Sequence, residues 1–237
     1  MSSFVLVHGA WGGAHGFRHL RRRLQSAGHE VFTPSLTGIG ERVHLASPLV
    51  GLGTHVRDVV HQVLYEDLRD IVLLGFSYGG FVVTGALEHI ADRVRHLVYL
   101  DAFVPRSGDS VWGQLRGERR PGIALGEDWL LAGPVREFDD PAEAAWMAPR
   151  RTAHPKGCFT EAVYLARPLE SYPFTRSYIK ATAAPPDDPG NIAFWQAARH
   201  AQSSADWRYH EIDTNHMVAS NRPDELAALL LAMVREA

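Results

Sequence analysis

The residues best able to do chemistry lie in Gly75-Phe76-Ser77-Tyr78-Gly79, a G-x-S-x-G pattern between an apolar run at 71–74 and a segment with Val82, Val83, Ala86, Leu87 and Ile90 at helical spacing. On a strand-to-helix turn the flanking glycines let the backbone fold back and leave the hydroxyl clear, so Ser77 is the candidate nucleophile. A serine hydroxyl attacks poorly at neutral pH unless an imidazole takes its proton and a carboxylate orients that imidazole. The chain has 13 histidines, so position must discriminate. His216, in Asp213-Thr214-Asn215-His216-Met217, occupies the loop after the last strand pattern, where the base of such an arrangement falls. His210 lies within that strand pattern, His200 at a helix end, and His8 ends the first strand as a structural hydrogen-bonder.

Two sites compete for the acid. Asp101 ends the strand after the serine strand, while Asp187 and Asp188 follow the next one beyond Ala183-Ala184-Pro185-Pro186. Asp101 is favoured because an orienting carboxylate needs rigid backbone, with Asp187 and Asp188 as the alternatives. Acyl transfer also needs donors aimed at the developing oxyanion. The amide of Tyr78 is one, and Ala10, in His8-Gly9-Ala10-Trp11, has the right offset for the other.

These residues require a scaffold that brings distant segments together. Residues 4–7 form a continuous apolar run, as in a strand buried on both faces. Phe17, Leu20, Leu24 and Ala27 then share one helical face, with Arg18, Arg21, Arg22 and Arg23 read as a solvated one. A strand at 30–33, a loop over 34–53 and a helix capped by Thr54 precede the serine strand. Further strands are expected at 97–100, 178–181 and 207–212, with helices near 192–200 and from Pro223. This alternation predicts an α/β fold with a mostly parallel sheet and helices on both faces. Residues 102–175 break the rhythm, with nine Lys/Arg against ten Asp/Glu and Trp112, Trp129 and Trp146. They read as a small helical cap inserted into a single domain whose core is 1–101 and 176–237. Trp11, Trp129 and His154 are the candidate substrate-binding side chains, with Trp112, Phe138, Trp146 and Phe159 as further candidates for an apolar pocket wall.

Composition narrows the function. A net charge of −3 gives no basic excess for nucleic acid or an anionic membrane. The single cysteine, Cys158, leaves no internal disulfide, fits a reducing compartment and reads as a small buried hydrophobe. The start MSSFVLVHG has no basic leader, and no apolar run approaches the ~20 residues that span a bilayer, so a soluble, cytoplasmic protein is expected. No residue cluster has metal-ligand spacing and no glycine-rich loop resembles a phosphate cradle, so no metal or cofactor is expected.

VHGAWGG, GFSYGG, LVYLDAFVP and the C-terminal NHM together resemble the α/β-hydrolases, in the branch of plant methyl-ester esterases, hydroxynitrile lyases and related bacterial serine esterases. The resemblance implies that fold, with Ser77 and His216 catalytic and the Ala10 and Tyr78 amides as the oxyanion hole. Lyases of the branch carry Thr after the first-strand histidine and Lys after the catalytic one. Gly9 and Met217 stand at those places, as in the esterases. The plant members place the acid after the later strand, where this chain offers only Ala and Pro before Asp187, which leaves Asp101 the better candidate. The expectation is a serine hydrolase cleaving a small or medium, mainly apolar carboxylic ester, thioester or lactone through an acyl-enzyme. A lyase or cyclase on the same residues and a ligand-binding receptor are the rivals. The expected partner is a small-molecule ester, and the oligomeric state, a homodimer included, stays open.

Overall fold

The computed structural model describes residues 1–115, 129–188 and 190–235; part of the inserted segment, 116–128, lies outside the described residues. In chain order the strands are β1 (Ser3–Val7), β2 (Glu30–Phe32), β3 (Ile71–Phe76), β4 (Val94–Leu100), β5 (Leu130–Leu131), β6 (His154–Pro155), β7 (Thr175–Ala181) and β8 (Arg208–Ile212). The helices are α1 (Arg18–Ser26), α2 (Leu52–Tyr65), α3 (Gly79–Ile90), α4 (Val111–Gln114), α5 (Pro141–Met147), α6 (Gly157–Thr160), α7 (Ile192–Ser203), α8 (Val218–Asn221) and α9 (Pro223–Arg235).

Six strands form one sheet in the order β2-β1-β3-β4-β7-β8, and every pairing in it is parallel. Strand side chains alternate between faces, so each face needs its own apolar cover. Val5, Val7, Leu73, Leu97 and Tyr99 pack with α2, α3 and α7. Phe4, Leu6, Leu74, Val98 and Ile179 pack with Leu20 and Leu24 of α1 and Leu226 and Leu230 of α9. Among the described residues no helix is long and apolar enough to cross a membrane.

Between β4 and β7 lie the short helices α4, α5 and α6 and the two-residue antiparallel pair β5-β6. This segment is tied to the first helices by charge. The buried Glu143 of α5 takes a two-point hydrogen bond from Arg18, whose guanidinium also lies 3.6 Å from the Trp146 ring centroid. Arg23 pairs with Asp224 of α9. The expected solvated arginine face is therefore in part a docking face, because guanidinium forks match carboxylates at two points. The helix start expected at Thr54 also moves: α2 begins at Leu52 after Gly51, and the Glu161 carboxylate accepts from the Gly53 amide at 3.0 Å. A carboxylate supplied from the inserted segment takes the place of a local cap.

The turn from β3 into α3 is tight because α3 starts directly against β1. A Cβ at Gly79 would lie 2.6 Å from the Val7 carbonyl oxygen, closer than side-chain carbons approach backbone. Gly79→Ala is expected to push α3 off the sheet and lower unfolding stability by about 1–3 kcal/mol, read as a lower urea midpoint.

Candidate active site

The elements that matter end at the carboxyl ends of the parallel strands. β3 runs straight into Ser77, which holds a positive φ of 55°. Its amide donates to Leu100 O at 3.2 Å, and its carbonyl accepts from the Gly80 and Phe103 amides, so the turn is bonded on both sides. Asp101, directly after β4, also has positive φ (40°), and its amide donates to Ile179 O at 2.7 Å. His216 arrives from the loop between β8 and α8. There the Asn215 side chain accepts from the Met217 amide at 2.9 Å and donates to Glu137 O at 3.2 Å, fixing the loop to the inserted segment. The His216 ring stacks on Phe194 of α7 with centroids 5.0 Å apart and lies tilted against Phe76 at 4.7 Å.

The structure brings Ser77, His216 and Asp101 into one chain of hydrogen bonds. His216 Nε2 lies 3.0 Å from Ser77 Oγ, and His216 Nδ1 lies 2.7 Å from Asp101 Oδ2. An ionised carboxylate can only accept, so Nδ1 carries the ring proton and the Nε2 lone pair faces the serine hydroxyl. Burial lowers the His216 pKa below its ordinary value; the hydrogen bond and charge of Asp101 oppose this, and Arg136 and Lys180 add to it. Burial works against the Asp101 carboxylate, but His216 and then Lys180 hold its pKa below the usual carboxylate value. The arrangement at neutral pH is thus a neutral imidazole between a hydroxyl and an ionised carboxylate. Asp188 is engaged elsewhere: its carboxylate accepts from the Gly190 amide and the Asn191 side chain in the turn before α7. Asp187 is exposed in the same turn.

The loop after β1 faces the serine. A Cβ on Gly9 would meet Ser77 Cβ at 3.0 Å, so the close approach of this loop depends on glycine there. His8 donates from Nδ1 to Gly9 O (2.9 Å) and accepts at Nε2 from the Leu36 amide (3.1 Å). With both ring nitrogens committed and its pKa lowered to about 4, mainly by burial, it is a structural histidine, as the sequence suggests. Ala10 lines the cleft beside Ser77. Tyr78 stands at the start of α3, and its buried hydroxyl bonds His55 Nδ1 at 2.9 Å.

The cleft above Ser77 has an empty volume of about 550 Å³, including space open to solvent. Trp11 lines it, together with Phe17, Phe76, Met147, Met217, Arg136 and Arg151. The other expected wall residues stand elsewhere. His154 is fully buried, and its Nδ1 accepts from the Trp11 amide at 3.2 Å, so it anchors the loop bearing Trp11 and does not face the cleft. Trp129 lies outside the lining, and its carbonyl accepts from the Lys156 amide beside the β5-β6 pair. Phe159 packs beneath, against Trp11 and Tyr78, and Trp146 is covered by Arg18 and Arg150. Trp112 packs on the core side, and Phe138 lies outside the lining as well. An aromatic in a short inserted segment is drawn to the nearest apolar or cationic face, and composition does not say which.

Three residues that the sequence does not single out also matter. Arg136 and Arg151 bring positive charge to the cleft, and burial, with Arg136 nearby, lowers the Arg151 pKa to about 10. Lys180 is fully buried, with Nζ 2.6 Å from Asp101 Oδ1. A lysine between Ile179 and Ala181 in the strand expected at 178–181 was the available signal, because a charge in a strand covered on both faces needs a partner.

Spacing along the chain also hides a cluster of buried His55, His154 and Cys158, whose possible ligand atoms lie within 4.8 Å of one another. Hydrogen bonding sets both tautomers against metal ligation there. His55 Nε2 donates to Thr37 O at 2.7 Å, and Nδ1 of His154 accepts from Trp11, which leaves its proton on Nε2. The Cys158 thiol, pushed up to about 12 chiefly by burial, stays protonated. The cluster as it stands is a packed core.

Comparison with known proteins agrees with this architecture. The description "Alpha/beta hydrolase family" matches residues 4–229. A carbendazim hydrolyzing esterase of Nocardioides sp. (strain SG-4G) is 51% identical over 115 residues, 48% of each chain. Salicylic acid-binding protein 2 of Nicotiana tabacum is 29% identical over 158 residues, covering 64% of this chain and 58% of that protein. The chain thus spans about half the length of the curated relatives it matches. Among solved structures, the Arabidopsis methylesterase MES16 superposes with a TM-score of 0.79 at 22% identity over the whole of both chains. An extracellular α/β-hydrolase from a Paenibacillus species gives 0.76 at 24% identity over 98% of both. The parallel sheet, the serine turn after β3 and the match over residues 4–229 identify this chain as a member of the alpha/beta hydrolase family, with esterases and methylesterases, and also a hydroxynitrile lyase, among its relatives.

Proposed function

We propose that this protein is a serine hydrolase that cleaves a small or medium, mainly apolar carboxylic ester through an acyl-enzyme. The observation that carries the reading is the unbroken path from Ser77 Oγ through a neutral His216 to the ionised Asp101. Ser77 Oγ attacks the ester carbonyl while His216 Nε2 takes its proton, and Asp101 stabilises the imidazolium that forms. The amides of Ala10 and Tyr78 hold the oxyanion, the second of them helped by its place at the start of α3. His216 then returns the proton to the leaving alkoxide. Water, activated by the same imidazole, attacks the acyl group and frees Ser77.

The cleft supports the substrate class. Its walls of Phe17, Phe76, Met147 and Met217 suit an apolar body, and Arg136 and Arg151 suit an acceptor-bearing end such as a carbonyl or ring nitrogen. Carbendazim, named for the relative that is 51% identical over 115 residues, is the first substrate to try, followed by methyl and p-nitrophenyl esters.

Incubation with a fluorophosphonate should add one mass equivalent at Ser77. Intact labelling failure, or label at another residue, removes the mechanism. Asp101→Asn is expected to lower turnover on the order of 10⁴-fold with the fold preserved, because the imidazole loses its correct tautomer. Asp188→Asn should stay near wild type, and steady-state rates on the same ester decide between the two carboxylates.

A further inference from the structure

The mechanism proposed above uses one oxygen of Asp101 and leaves the other to Lys180. That lysine lies in β7 between Ile179 and Ala181 with no solvent exposure. Its ammonium donates to Asp101 Oδ1 and to Ala181 O, each at 2.6 Å, and sits 4.6 Å from the Trp195 ring centroid. The Ala181 amide reaches the same Oδ1 only at 3.4 Å, so Lys180 is its close partner. An ammonium buried in a parallel strand is costly unless a counter-charge meets it, and Asp101 is the carboxylate in contact with it.

We propose that Lys180 is a positioning residue for ester cleavage: it fixes the second oxygen of Asp101 and cancels that carboxylate's charge, so that His216 works beside a neutral ion pair instead of a bare anion. This rests on the catalytic reading of Ser77 and His216. With Asp101 unpaired, a buried negative charge would pull a proton onto His216 and hold it there, taking the base out of use in mildly acid conditions. With Lys180 present, protonation of His216 makes the unit positive, and the imidazole stays free to lower pH. The ammonium also stops the carboxylate rotating, since each oxygen then has its own donor.

The other groups around the unit leave this role to Lys180. The Tyr178 hydroxyl has its one proton between the Ala102 and Phe194 carbonyls and accepts from the Ala102 amide, and that of Tyr209 donates to Glu211, the β8 residue in register with Lys180. From α7 the facing groups are the Phe194 and Trp195 rings, and from β3 the Ser77 hydroxyl. Arg136, from the inserted segment, acts on His216 in the same direction as Lys180.

The rate at which a fluorophosphonate labels Ser77, followed against pH, reads the state of His216 without knowledge of the natural ester. In the wild type the acid limb should lie below 6.5, the ordinary histidine value. Lys180→Met should raise that limb by about one pH unit and slow the plateau. Lys180→Gln, which keeps a donor without the charge, should raise the limb as much and slow the plateau less. A Met or Gln variant that is folded by circular dichroism but has an unmoved limb overturns the proposal. Lys180→Arg, which keeps the positive charge, should leave the limb where the wild type has it, and a folded Arg variant whose limb rises by about one pH unit overturns the proposal as well. Wild-type protein that takes no label at any pH sinks the catalytic reading itself, a result distinct from label with an unmoved limb.

Discussion

A buried carboxylate with two oxygens to satisfy is the constraint around which the site is arranged. Asp101 is only 1% exposed, so water cannot solvate it, and an ionised carboxylate left without donors there would be severely destabilising. Its two close donors come from far apart in the chain: the His216 imidazole from the loop after β8 and the Lys180 ammonium from β7. Satisfying Asp101 therefore fixes the side chain of His216, and through it the approach to Ser77. The Phe76 and Phe194 rings on the imidazole leave little freedom apart from the two ring nitrogens' own hydrogen bonds.

Three of the five non-glycine residues with positive φ among the described residues lie at the same place, the other two, Asp67 and Asp70, being in the turn before β3. Trp11, Ser77 and Asp101 all have positive φ without being glycine, a conformation that costs about 1–3 kcal/mol where the surroundings hold it. Each is held by identifiable bonds. Ser77 and Asp101 are bonded into the neighbouring strands through Leu100 and Ile179. Trp11 is gripped by the inserted segment at three points: its amide by His154, its carbonyl by Thr152 and its indole by Leu131 O. The inserted segment thus holds the loop carrying Ala10 as well as walling the cleft.

Local chemistry and chain order made much of this legible. The glycines around Ser77, the apolar strand before it and the histidine after the last strand are each short-range signals with a single reading once combined. The choice of Asp101 over Asp188 followed from distance to rigid backbone, and the structure puts Asp101 on His216 and Asp188 in a turn. Less legible was everything decided by packing between distant segments. His154 reads as a pocket histidine only until its ring nitrogen is seen to accept from Trp11. Thr54 is a good local cap, but Glu161 reaches the start of α2 from a hundred residues away and the helix begins earlier. Arg136 and Arg151 come from irregular stretches and Met147 from the end of the seven-residue helix α5, too short for its sequence to show which face turns to the cleft.

The position of Asp101 follows from strand order. β4 lies between β3 and β7, with Phe76 in register with Leu100 and Leu100 in register with Ile179. Ser77, Asp101 and Lys180, each one residue further along, therefore stand in a row across three adjacent strands spaced by the ladder itself, about 4.8 Å apart. A carboxylate at the end of the middle strand reaches its lysine from one neighbour and faces an imidazole lowered over the other. A carboxylate beyond β7 would leave the Lys180 ammonium in the interior without its counter-charge. In this chain the lysine in β7 and the aspartate after β4 are a matched pair, and neither position is physically sensible without the other.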